Sequence, residues 1–373
     1  MKPTLLYVSP VVPSFTGNGL AMRAGAVLEA LAPSYRVSVL TVPLYRSFAP
    51  EMPAVLRECC HEAVEIPVQQ IGRSAAYERQ CFDVVHVFRL VSIGAAVPYL
   101  EAARKPARHL DLDEIEAKTL RHIAALRREN SEEFLASQDE AAARKAELVE
   151  FIACRRFERV YVCSEADRRE LRTRCPAEIC VLPNVARQPA CSGPRAADGT
   201  WRIFFAGTLG YYPNEDAVVY FCTRILPLIR QSVACAVEVT VAGSGASAHL
   251  RHVARNALVR LAGALPDLAP AYQAADMVIV PIRAGGGTRI KVLEAFAHGR
   301  PVVTSTIGVE GIDARPEEHV LVADTPEAFA DCCLRVMTDH SLRERLVANA
   351  QALFQRAYTP DALRRTVACL PRP

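Results

Sequence analysis

The sequence predicts an α/β protein made of two similar domains, each built on a parallel sheet. Three observations predict it. Short apolar, β-branched runs alternate along the chain with amphipathic segments of helical length. Some of those runs, such as 277–280, are apolar throughout, as in parallel strands covered by helices on both faces. The chain's 373 residues, 51% hydrophobic and 23% charged, exceed one ordinary domain and exclude a small module, a disordered chain or a collagen-like one.

Taken in order, the first series of strands is expected at residues 5–9, 37–42, 84–88, 107–112, 160–163 and 179–182. Residues 114–156, free of Pro and Gly, are expected as one or two surface helices of the first domain, with a solvated charged face. The stretch PNVARQPACSGPRAADGT, 183–200, lacks periodicity and predicts the domain boundary. A second series follows at 203–206, 237–242, 258–261, 277–280, 302–305 and 319–322. The expected division is therefore 1–185 for an N-terminal domain and 186–355 for a C-terminal one, with 356–373 following as a last helix.

Composition narrows the function. With 44 basic and 41 acidic residues the net charge is only +3, so no nucleic-acid partner is expected. Thirteen cysteines without a C-x-x-C pair fit reduced, buried thiols and a cytoplasmic setting rather than a zinc site. MKPTLLYVSPVVPSF reads as a first buried strand rather than a signal peptide. No apolar run is long enough for a spanning helix.

The most informative segment is GGGTRIKVLEAFAHGRP, 285–301, which follows the strand at 277–280. Three glycines open a helix, allowing close backbone approach to a ligand, and the helix N-terminus suits an anion such as a phosphate. Arg289 and Lys291 stand where the helix dipole alone disfavours cations, and a bound phosphate explains them. Glu294 follows, able to accept hydrogen bonds from sugar or ribose hydroxyls. Thr288 precedes the basic residues, so this is not a P-loop. A flexible turn before a charged surface helix is the alternative that this segment alone leaves open. A second loop, Gly17-Asn18-Gly19, lies between the first strand and first helix, with Met22 where a dinucleotide fingerprint needs a third glycine.

Together with FFAGTLGYYPNEDAV (204–218), VTVAGSG (239–245) and PVVTSTIGVEGI (301–312), this segment resembles the donor-binding domain of family 4 glycosyltransferases, of GT-B fold. In the first half DVVHVF (83–88), LDLDEIEAKTLR (110–121), VCSEADRREL (162–171) and VLPN (181–184) extend the resemblance along nearly the whole chain. It implies two Rossmann-like domains facing a central cleft and a final helix that returns to the first. It also implies transfer of a hexosyl or N-acetylhexosaminyl group from a UDP- or GDP-sugar, with retention and without an essential metal or resident cofactor, in saccharide biosynthesis. The implied acceptor is a saccharide, a lipid-linked saccharide or a small metabolite, with peripheral membrane contact.

Carried over by position, Gly286, Gly287 and Thr288 hold the donor diphosphate, Arg289 and Lys291 offset its charge, and Glu294 holds the ribose. Gly207, Thr208, Gly17 and Gly19 join them at the donor. The family's first Glu falls at Gly286, and its Arg and Lys after the first strand of this domain fall near Thr208 and Asn214. Catalytic help is expected from His109 and Asp111, near the family's cleft-lining position, and His86 is equally placed. Asp111-Leu112-Asp113 spells the metal-binding D-x-D of another fold, but an N-cap by Asp113 ahead of Glu116 explains it. Two other functions fit the same residues: a nucleotide-sugar epimerase or hydrolase, and a binding subunit without turnover.

Overall fold

A computed structural model describes residues 2–44, 51–67, 69, 77, 80–189 and 199–371. The chain divides into two compact units, Met1–Ala117 with Ala141–Val185 and Pro360–Pro373, and Lys118–Glu140 with Ala186–Thr359. Part of the expected boundary, 190–198, lies outside the described residues.

The first unit holds a seven-stranded parallel sheet. Its strands are β1 (Thr4–Ser9), β2 (Arg36–Thr41), β3 (Glu62–Glu65), β4 (Val84–Phe88), β5 (Ala107–Asp111), β6 (Arg159–Val162) and β7 (Glu178–Val181), in the order β3-β2-β1-β4-β5-β6-β7. Alternate residues feed two cores. Leu5, Val37, Val39 and Phe88 pack on α1 (Gly19–Leu31) and α14 (Pro360–Ala368). Leu6, Val85, Leu110 and Val160 pack on α3 (Ile93–Leu100), on the end of α5 (Glu133–Cys154) and on α6 (Glu165–Arg172). Asn18 caps α1 by accepting the Ala21 N–H at 2.9 Å. Gly25 lets that helix press on the Ser14 carbonyl, which a Cβ there would overlap.

The second unit holds a six-stranded parallel sheet in the order β10-β9-β8-β11-β12-β13. These strands are β8 (Thr200–Ala206), β9 (Ala236–Ala242), β10 (Arg260–Gly263), β11 (Met277–Val280), β12 (Val302–Thr304) and β13 (Leu321–Val322). One core of residues such as Phe204, Val239, Ile279, Phe296 and Phe354 joins sheet and helices. No helix among the described residues is long and apolar enough to cross a membrane.

The parallel-sheet α/β class is as expected, and the departures have physical causes. Strand β3 was not expected: it is an edge strand of sequence EAVE, paired on one side only and mostly exposed. The strand expected at 258–261 begins at Arg260, because Leu258 is 80% exposed with φ +52° in the turn after α9 (Ala248–Asn256). Helices were expected in 114–156 as part of the first domain, and α4 (Glu116–Glu129) and α5 do form there. Residues Lys118–Glu140, however, belong to the second unit, to which side chains such as Ile123 and Leu126 contribute.

Candidate donor site

In the second sheet the strand order reverses between β8 and β11, and the loops leaving their C-terminal ends diverge there, the place where open α/β sheets bind ligands. Residues Gly207, Thr208 and Asn214 follow β8; Gly285, Gly286, Gly287 and Thr288 follow β11. Behind them Gly243, φ +153°, brings the loop after β9 so close to the Gly207 carbonyl that any Cβ would overlap it. Ser244 O then accepts the Leu209 N–H at 2.7 Å, fixing the two loops together.

The glycine loop turns through positive φ at Gly285 (131°) and Gly287 (64°) and leads into α11 (Ile290–Ala297). Arg289 stands at the N-cap of that helix, with extended backbone, and its side chain doubles back over the loop. Nη1 donates to the carbonyls of Gly286 and Gly287. Nη2 is buried without a hydrogen-bond partner. A charged N–H group held in that state is costly unless an acceptor meets it.

Lys291, in the first turn of α11, reaches back to the β8 side. Its Nζ donates to Asn214 Oδ1 at 2.7 Å and lies 4.1 Å from the centre of the Phe205 ring. Asn214 is itself held by donating Nδ2–H to Thr208 O at 2.9 Å. A cation is therefore present beside Asn214 after all, supplied across space by Lys291. Burial lowers the Lys291 pKa to about 7, and the neighbouring Arg289 charge pushes it the same way against Glu294.

Glu294, one turn further on, accepts the Tyr272 hydroxyl at 2.9 Å. Tyr272 comes from α10 (Ala269–Ala274), with its ring stacked on His298 at 4.8 Å and edge-on to Phe204 at 4.9 Å. Burial raises the Glu294 pKa to about 7, opposed by the Tyr272 hydrogen bond and Lys291.

Helix α4 clamps the base of the loop. His122 donates Nδ1–H to Gly285 O at 2.8 Å, and Ile123 and Leu126 pack with Ala284. The Arg127 guanidinium stacks 3.9 Å from the Tyr212 ring centre, while Asn130 and Arg283 converge on Asp216. Tyr272, Asn214 and His122 were not among the expected site residues. His122 and Gly285 are 163 positions apart, and no local pattern links them.

In the first unit the expected catalytic pair, His109 and Asp111, is buried on β5. Asp111 is fully buried, and its Oδ1 accepts from Arg23 Nη2 at 2.7 Å and Nε at 3.2 Å. Arg23 also donates to Leu182 O and to Asn184 Oδ1, so it ties α1 to β5 and to the loop after β7. His86, also fully buried, is stacked between Tyr7 and Tyr161, with Nε2 3.8 Å from Asp111 Oδ2. His109 is 4% exposed and lies 3.3 Å from the Tyr161 hydroxyl; burial, helped by His86 and Arg159, lowers its pKa to about 3. His109 and Asp111, expected to line a cleft, are thus both buried on β5, Asp111 against Arg23 and His109 against Tyr161.

The expected N-cap is corrected. Glu150 Oε1, from α5, accepts the Ala117 N–H at 3.1 Å. Asp113 instead accepts Arg89 Nε–H at 2.6 Å, and burial raises its pKa to about 6 against that cation. Arg89 has φ 64° and ψ 150°, a strained backbone for a side-chain-bearing residue, at the C-terminal end of β4. Gly17 takes φ 99° in the loop that ends at the Asn18 cap, and Gly19 opens α1.

Residues 200–339 match the family described as glycosyl transferases group 1. No curated protein matches the chain in sequence. Among solved structures, a sucrose-phosphate synthase from Thermosynechococcus elongatus superposes with a TM-score of 0.73 at 15% identity, covering 99% of this chain and 98% of that one. The Anabaena protein HepE in complex with UDP and glucose gives 0.69 at 14% identity, covering 98% of both chains. TarM of S. aureus, in a complex that includes UDP, gives 0.61 at 13% identity over 78% of this chain and 56% of that one. At these identities the likeness shows the fold, that of GT-B glycosyltransferases.

Proposed function

We propose that this chain, whose residues 200–339 match the group 1 glycosyl transferases, moves a sugar from a nucleoside-diphosphate sugar to an acceptor hydroxyl with retention of configuration. The observation that carries the reading is the buried Arg289 Nη2 without a partner, facing a glycine loop beside the Lys291 ammonium. Breaking the anomeric C–O bond leaves an oxocarbenium-like sugar and a diphosphate, so catalysis needs fixed positive charge at the leaving oxygens more than a strong base. Arg289, Lys291 and the N-terminus of α11 supply it. Glu294, held by Tyr272, takes the ribose hydroxyls. The neighbours solved with UDP favour a uridine donor, and the acceptor class is a saccharide or a saccharide-bearing lipid or metabolite. Incubating the protein with UDP- and GDP-sugars, with and without candidate acceptors, tests this by mass spectrometry. Acceptor-dependent donor consumption is expected; consumption without acceptor indicates an epimerase or hydrolase, and none at all a binding subunit.

Glu294→Gln is expected to weaken binding of the nucleoside diphosphate by about 1–3 kcal/mol, the worth of a hydrogen bond to a charged group. Titration calorimetry reads it, and equal affinities would move the ribose contact elsewhere. Turnover is expected to survive excess chelator. Asp111 and Asp113 are each engaged by an arginine, Arg23 and Arg89, and the loop carries its own cations. Loss of activity in chelator, restored by magnesium or manganese, would reassign the leaving-group chemistry to a metal.

A further inference from the structure

The loop that leaves β12 is pinned onto the strand end from which the glycine loop departs. Ser305 Oγ donates to Ile282 O, and the Gly308 N–H donates to that same Oγ at 2.9 Å. Thr304 Oγ1 donates to Val280 O at 3.2 Å, and a Cβ at Gly308 would overlap both that carbonyl and the Thr304 hydroxyl. The short helical turn Ile307–Val309 therefore lies directly against the end of β11, and Glu310 follows it. Helix α4 fixes the same residue from a second direction. Lys118 Nζ donates to Glu310 Oε1 at 2.6 Å, and His122, four positions on, donates to Gly285 O at 2.8 Å. Positions i and i+4 are neighbours on one helix face, about 5–6 Å apart at Cβ. Both routes put the Glu310 carboxylate beside the glycine loop.

Lys118 engages one oxygen of that carboxylate. The other, Oε2, is buried with no hydrogen-bond partner, and among the described residues of the second unit it is the one carboxylate oxygen in that state. An acceptor withdrawn from water is costly until a donor meets it. A nucleoside-diphosphate sugar brings such donors. With its diphosphate at the glycine loop, the adjoining hexosyl group carries several O–H groups that give up water on binding and need acceptors. Residues 281–288, PIRAGGGT, include no acidic side chain to receive them. Nearby carboxylates are engaged, Glu294 by Tyr272 and Asp216 by Arg283 and Asn130. Because Lys118 balances its charge, Glu310 can stand beside a diphosphate without repelling it. We propose that Glu310 Oε2 accepts a hydroxyl of the donor's sugar and so fixes the hexosyl group beside the loop. This role rests on the donor reading above and adds to it the residue that reads the sugar rather than the nucleotide.

Titration calorimetry of the full chain tests it, with UDP and GDP on one side and UDP-glucose, UDP-N-acetylglucosamine and GDP-mannose on the other. The parent is expected to bind a nucleoside diphosphate and at least one of its sugars. Glu310→Gln is expected to leave the affinity for the bare diphosphate unchanged and to lower that for the sugar at least ~10-fold, the loss of a hydrogen bond to a charged acceptor. Lys118→Met leaves the carboxylate in place and is expected to lower it much less, with thermal melts showing both variants folded. Equal affinity of Glu310→Gln and parent for the sugar overturns the proposal. So does an equal loss for the bare diphosphate, which would mean a general disturbance of the loop. A loss in Lys118→Met as large as in Glu310→Gln also overturns it, because the carboxylate would then act through α4. A parent that binds a diphosphate but none of the sugars overturns this role alone, and one that binds no probe overturns the donor reading with it.

Discussion

Lys291→Ala is expected to slow turnover by at least ~100-fold, the loss that follows removal of one preorganised charge donor at a developing anion. The same size of effect is expected for Arg289→Ala, which also frees the carbonyls of Gly286 and Gly287. The pH dependence separates the two. Burial holds the Lys291 pKa near about 7 in the free protein, so its charge is present below that pH and lost above it. The profile of kcat/KM, which reports groups of the free enzyme, is expected to fall as pH rises through neutrality. Glu294, raised to about 7, ionises over the same range, and Glu294→Gln removes its contribution. The descending limb should persist in Glu294→Gln and move to higher pH in Lys291→Arg, whose guanidinium stays charged. A limb unchanged in Lys291→Arg would place the titrating group elsewhere.

Asp111→Ala is expected to destabilise the protein by about 3–5 kcal/mol, because it strands the Arg23 guanidinium in the core without its counter-charge. Replacing both partners together, Arg23→Met with Asp111→Leu, is expected to cost much less, since two apolar groups need no solvation. Denaturant unfolding compares the three proteins. The pH dependence follows from the native carboxyl. Burial pushes its pKa up, but Arg23 and His86 more than offset that and hold it below the usual range. Its contribution is therefore complete above the unfolded value of about 3.9 and is lost as pH falls through the lower native value. The stability gap between parent and Asp111→Ala should close in acid. If Asp111→Ala kept full stability and lost turnover alone, the residue would belong to the chemistry.

Both experiments bear on what a chain discloses before it folds. The strands β1, β4 and β11 were legible because each is a run of mostly apolar residues, almost all of them buried. The glycine loop, Arg289, Lys291 and Glu294 were legible too, being neighbours in sequence on one turn and one short helix. The edge strand β3 was not legible, since half of its hydrogen bonds and most of its side chains meet solvent, leaving no hydrophobic signature.

Tertiary structure alone decided the rest. That Asp111 is buried against a cation depended on Arg23, 88 positions away, and a strand-end carboxylate spells the same with or without such a partner. That Lys291 supplies the cation missing near Asn214 depended on the loops of β8 and β11 meeting at the reversal of strand order. The transfer of Lys118–Glu140 to the second unit rested on His122, Ile123 and Asn130 finding Gly285, Ala284 and Asp216. Local sequence sets propensity and periodicity over a turn or two. Which buried charge meets which partner is settled by the packing of segments far apart in the chain, where desolvation makes an unpaired choice too costly to persist.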